Sequence, residues 1–121
     1  MKNELKPILI YPPEEARRNS FVVEKIEREL GAKLKFPDYR GDALYVINRT
    51  NDYKIAEYYE QRGVRVFNPS ALSKIANDKQ LCYDFMEKNG IEIMPTHYKN
   101  PPFVKKPRDG HGGAGVVWCD S

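Results

Sequence analysis

The sequence has 121 residues, 40% hydrophobic and 31% charged, with a formal net charge of +3. That is enough chain for one folded domain, or a small domain and part of another, without disulfide or metal staples. Its basic residues are spread along the chain rather than gathered on one element among aromatics, which argues against a nucleic-acid partner.

Several further classes are excluded by what the chain lacks. No apolar run reaches membrane-spanning length, and the first residues contain no signal-peptide core. Cys82 and Cys119 form no CxxC pair, and His97 and His111 show no metal-ligand spacing. A cytoplasmic protein with buried free thiols, no membrane partner and no metal motif of its own is expected.

In chain order, Ile8-Leu9-Ile10-Tyr11 is a short apolar run closed by Pro12-Pro13, which predicts a buried strand. Residues 21–30 predict a helix with Val22, Ile26 and Leu30 on one face. Asn19 or Ser20 is placed to cap its start and Gly31 its end, and an earlier start at Glu14-Glu15 stays open. Residues 33–36 predict a second strand and residues 43–47 the strongest strand of the chain. Asn51 or Asp52 then caps a helix running to Glu60, which Gly63 terminates, and residues 64–67 predict another strand. This β-α-β-β-α-β order, with nearly continuous apolar strands, predicts an α/β fold: a small, doubly wound, mostly parallel sheet covered by helices.

The texture changes near Ser70. A short helical piece at 71–76 leads to Asn77, read as an N-cap with Gln80 completing a capping box. Leu81, Phe85 and Met86 form the apolar stripe of the next helix, which Asn89-Gly90 ends. A brief extended segment at 91–94 follows. Two strand-like runs, 103–106 and 116–119, then flank a glycine-rich stretch.

That stretch, Gly110-His111-Gly112-Gly113-Ala114-Gly115, has four glycines in six residues. Backbone of this kind offers N–H groups with little side-chain obstruction and can close over phosphate oxygens. Lys106 lies just before it, where an ammonium could meet an α- or β-phosphate. Gly110, Gly112 and Gly115 match G-x-G-x-x-G, yet a strand follows instead of the helix that a dinucleotide fold requires. A strand–loop–strand cover over a nucleotide remains, and so does an ordinary hairpin turn. Lys79 sits in the first turn of a helix, where the dipole favours anions rather than cations. It is either a surface lysine or a second phosphate ligand converging with Lys106.

Asn77-Asp78-Lys79, the amphipathic helix, Gly90-Ile91 and Val104-Lys105-Lys106-Pro107-Arg108-Asp109-Gly110-His111-Gly112-Gly113 together resemble the opening of an ATP-grasp domain. The similarity is greatest to the RimK-like group of glutamate and peptide ligases. Ile47-Asn48-Arg49-Thr50 and Val66-Phe67-Asn68 resemble the domain that precedes it in that group.

The resemblance implies a pre-ATP-grasp domain over residues 1–70 and the first helix and β-hairpin of the ATP-grasp domain over 71–121. It implies that Lys79 and Lys106 bind ATP phosphates, with Gly110, Gly112 and Gly113 forming a flexible loop above them. The implied reaction passes a phosphoryl group to a substrate carboxylate, giving an acyl phosphate that an amine attacks. The substrates would be amino acids or peptides. Two Mg2+ ions would be held by residues downstream of this sequence, and Asp78, Asp109 and Asp120 have no claim to that role by match. On this view the sequence is an N-terminal fragment of a ligase, inactive alone and a weak nucleotide binder.

The rival reading is a self-contained, non-catalytic α/β module for a phosphorylated ligand or partner. Arg49, at the end of a strand, is placed either to meet a substrate carboxylate or to form a structural ion pair. Arg108, beside the loop, could equally be a solvated turn residue. The apolar hairpin over 101–121 is expected to pair with a second copy, giving a homodimer.

Overall fold

A computed structural model of the chain describes residues 4–93, 100–109 and 114–120. Its contacts divide the chain into two units, Met1–Ser73 and Lys74–Ser121.

At the centre of the first unit is strand β1 (Ile8–Ile10). It pairs in parallel with β2 (Lys33–Lys35) on one side and β3 (Val46–Asn48) on the other, and β3 pairs in parallel with β4 (Val66–Phe67). The sheet order is therefore β2-β1-β3-β4. Side chains alternate between faces along a strand, and both faces of β1 are covered. Ile8 and Ile10 join Val46, Val66, Ile55, Ala56 and Tyr59 on one side. Leu9 and Tyr11 join Ala16, Val23 and Ala32 on the other. Burial on both faces explains why the run 8–11 is apolar without interruption. The α/β class and the parallel sheet expected from the sequence are borne out.

Helices α1 (Pro13–Arg18) and α2 (Ser20–Leu30) connect β1 to β2. The helical region thus begins earlier than residue 21, and Asn19 separates its two pieces. The Asn19 side chain donates to the Glu15 carbonyl (2.8 Å), so it closes α1 instead of capping α2. Gly31 ends α2 in the left-handed region at φ 67°. The packed stripe is Val23 and Ile26, whereas Val22 is turned outward. One residue is about 100° of helix rotation, enough to exchange which of two adjacent valines meets the sheet.

α3 (Tyr53–Glu60) connects β3 to β4 and is capped by Asp52, whose carboxylate accepts from the Lys54 N–H (2.9 Å). Ile55, Ala56 and Tyr59 are its buried face.

The β2-to-β3 connection, residues 36–45, contains no helix. Two tyrosines of α3 hold it from outside the segment. Tyr59 donates to the carbonyls of Tyr39 and Gly41 (3.2 Å each) and Tyr58 to that of Arg40 (3.2 Å). Within the loop, Tyr39 donates to the carbonyl of Asp42 (3.0 Å). These bonds satisfy carbonyls that a helix would otherwise have paired. Burial, reinforced by the neighbouring Tyr39, pushes the Tyr59 hydroxyl pKa up.

α4 (Ser70–Ala76) follows β4, and the Ser70 N–H and hydroxyl both donate to the Glu60 carboxylate (3.0 and 3.1 Å).

In the second unit α5 (Lys79–Lys88) precedes an antiparallel pair, β5 (Phe103–Lys105) and β6 (Val117–Cys119). Phe103 lies opposite Cys119, Val104 opposite Trp118 and Lys105 opposite Val117. None of this unit's described residues is fully buried, and of the expected stripe Phe85 is exposed. Cys82 and Cys119 are half-buried free thiols rather than the buried ones expected. Among the described residues no helix is long and apolar enough to cross a membrane.

Candidate phosphate-facing site

Lys79 is the first residue of α5, and Lys106 follows the last residue of β5. Gly110, Gly112 and Gly113, the expected phosphate loop, lie outside the described residues, as do His97 and His111.

The two lysine-bearing elements are joined by a contact that sequence reasoning missed. The N-cap of α5 is Asp78, not Asn77. Its Oδ1 accepts from the N–H groups of Gln80 (3.0 Å) and Leu81 (3.1 Å) and from Arg108 Nε (3.1 Å). Its Oδ2 lies 3.1 Å from Arg108 Nη2, so the guanidinium grips the carboxylate with two nitrogens. In return, the Arg108 carbonyl accepts the Lys79 N–H at 2.7 Å. Arg108 is therefore an exposed turn residue, as one reading of the sequence had it, that also pairs with the helix cap.

With the cap moved by one residue, Gln80 occupies the second helical position. Its side chain donates to Asp84 one turn on (2.8 Å) instead of closing a capping box. The missed signal was the carboxylate itself: Asp78 stands directly before the lysine, and Asp and Asn cap helices equally well.

The electrostatics follow from this geometry. The Leu81 N–H, then the Arg108 guanidinium and the Gln80 N–H, hold the Asp78 carboxyl below the usual carboxylate range against partial desolvation. The first free N–H groups of α5 are already bonded to Asp78 and Arg108, so the helix end itself offers an anion little.

At the far end of the described loop, Gly115 has φ 74°, and a Cβ there would lie 2.6 Å from Pro107 Cγ. Both the left-handed backbone and the close approach to Pro107 require glycine at this turn.

At this junction the Asp78 carboxylate is paired with the Arg108 guanidinium. Among the described residues no cluster of three or more His, Cys, Asp or Glu could hold a metal ion. A hollow of about 620 Å³, open to solvent, is in the first unit and is lined by neither lysine. Leu30, Leu44, Tyr45, Ile47, Arg65 and Phe67 line it.

Arg49 forms no ion pair with a described residue. Its Nε donates to the Tyr11 hydroxyl (3.1 Å) and its guanidinium lies over the Tyr11 ring, 5.6 Å from the centroid.

No family model matches this chain, and no curated protein matches it.

Proposed function

We propose that this chain carries the phosphate-facing half of the nucleotide site of an ATP-dependent carboxylate–amine ligase of the ATP-grasp type. The first unit corresponds to the preceding α/β domain and the second to the opening of the ATP-grasp domain. The observation that carries this reading is the Asp78–Arg108 clamp, which fixes the start of α5 and the turn after β5 to one another. It holds Asp78, beside Lys79, against Arg108, two residues after Lys106, which supports two lysines serving one polyphosphate.

ATP would supply the phosphoryl group that activates a carboxylate. The chain's own part is to bind and orient the phosphates through the two ammonium groups and the glycine loop. An amino-acid or peptide substrate and a cytoplasmic location go with the same reading.

Titration of the chain with ATP, followed by amide chemical shifts, tests it. The expected dissociation constant is ~1 mM. Lys106→Ala should abolish the saturable shifts, while Lys105→Ala, on a strand residue paired with Val117, should leave most of them. Equal losses from both would reduce the effect to nonspecific charge and overturn the assignment.

We further propose self-association through residues 101–121. The cross-strand neighbours Val104 and Trp118 are 45% and 62% exposed. A two-stranded sheet is marginal in water and has two open edges. Light scattering at high micromolar concentration should give a dimer for the whole chain and a monomer for a version ending at Asn100. A monomeric whole chain would rule this out.

A further inference from the structure

The sheet order reverses between β1 and β3. In open parallel sheets ligands bind beyond the carboxyl ends of the strands at such a reversal. The first residues past those two ends are Tyr11 and Arg49, and they are in contact. The Arg49 N–H donates to the Ile10 carbonyl (2.9 Å), which fixes its backbone to the end of β1. Its Nε donates to Tyr11, and the ring face supports the guanidinium. Tyr11 is itself 3% exposed, so the arginine is held by a rigid, packed partner.

Arg49 is exposed, and its two Nη groups have no partner among the described residues. With Nε occupied, these two nitrogens form an end-on fork. The Tyr11 hydroxyl accepts from Nε and still has its own proton to donate.

The neighbouring polar groups do not compete for that fork. Asn48 Oδ1 accepts from the Thr50 N–H (3.1 Å) and hydroxyl (2.7 Å). Asn48 Nδ2 donates to the Asp52 carbonyl (3.1 Å), and Asp52 caps α3. Glu14 and Glu15, in the first turn of α1, lie against Arg18.

We propose that Arg49 and Tyr11 form a binding site for a small carboxylate ligand at this reversal point. The donor set fits a monoanion better than a phosphate dianion. Pro13 removes a backbone donor from the start of α1, and Asp52 already engages the start of α3. The fork and the hydroxyl match the two oxygens of a carboxylate. The site belongs to the first unit and owes nothing to the phosphate reading of the second.

Sodium acetate and sodium succinate, titrated against the whole chain at constant ionic strength with chloride and inorganic phosphate as comparisons, provide the test. Amide shifts at Tyr11, Arg49, Thr50 and Asn51 should saturate with the carboxylates and not with chloride. Arg49→Gln and Arg49→Lys should each weaken binding roughly tenfold, because one removes the charge and the other the fork. Tyr11→Phe should weaken it several-fold. Arg62→Gln, on another exposed arginine over a tyrosine ring (3.6 Å from the Tyr58 centroid), should change nothing and controls for general charge. Lys106→Ala should leave carboxylate binding intact, so its failure is separable from failure of the nucleotide assignment. Saturation that persists in Arg49→Gln, an equal response to chloride, or tighter saturation by phosphate would each overturn the proposal.

Discussion

Leu9→Ala is expected to cost about 2–5 kcal/mol, a large part of the stability of the first unit. Leu9 is 0% exposed, in the central strand, among Tyr11, Ala16, Val23 and Ala32. Truncation leaves a cavity between α1, α2 and the sheet, where neighbours on two helices and a strand have little freedom to collapse. A unit of this size has roughly 4–11 kcal/mol in total. Each kcal/mol moves the melting point by about 4–8 °C, so Tm should fall by tens of degrees or the transition vanish. Phe21→Ala is the comparison: a larger apolar side chain, but 75% exposed, and expected to stay within about 0.5 kcal/mol. Thermal unfolding by circular dichroism reads both. A Leu9→Ala shift no larger than that of Phe21→Ala would mean that β1 is not the core of the sheet.

Asp78→Ala should release the start of α5 and the β5–β6 turn together. The substitution removes the acceptor of two helix N–H groups and of Arg108 at once. Amide exchange at Gln80 and Leu81 should accelerate roughly 2- to 30-fold, the range a lost N-cap gives. Exchange at Lys79, whose N–H bonds the Arg108 carbonyl, should accelerate with it. Asp78→Asn keeps a cap without a charge and should slow the helix amides back toward normal while Lys79 stays fast. Arg108→Ala should do the same from the other side. Acid reproduces the Asn variant, since a protonated carboxyl can still accept from the helix amides but loses the charge that Arg108 pairs with. Because the folded carboxyl is held below its ordinary value, its contribution is complete above the unfolded pKa and disappears as pH falls through the lower folded one. The junction should therefore open below about pH 4. Unchanged Lys79 exchange in Asp78→Ala would show that the clamp does not hold the two elements together.

The parts of the fold legible in the sequence are those set by neighbours along the chain. β1 is apolar because both its faces are covered, and α3 has Asp52 before it and Gly63 just beyond it. The adjacent pair Val22 and Val23 could not be separated by pattern alone, since only the docking angle of α2 decides which faces the sheet. The helix-free connection between β2 and β3 was legible in the direct strand-to-strand step of the predicted order, but what holds it was not, because the donors Tyr58 and Tyr59 are 18 to 20 residues away. The same holds for Asp78 and Arg108, 30 residues apart. Lys79 at a helix start and Lys106 at a strand end were readable as positions; their task rests on a resemblance carried largely by glycines outside the described residues.

The tyrosine-held connection changes where this protein can accept new sequence. Surface loops ordinarily tolerate insertions because their backbone faces water. Between Tyr39 and Asp42, four consecutive carbonyls are instead engaged by tyrosine hydroxyls at fixed distances. One added residue there would shift every later carbonyl away from its donor. The turn at residues 61–63 is exposed and meets no such grip, so a tag or reporter belongs there, while the span 39–42 is part of the frame.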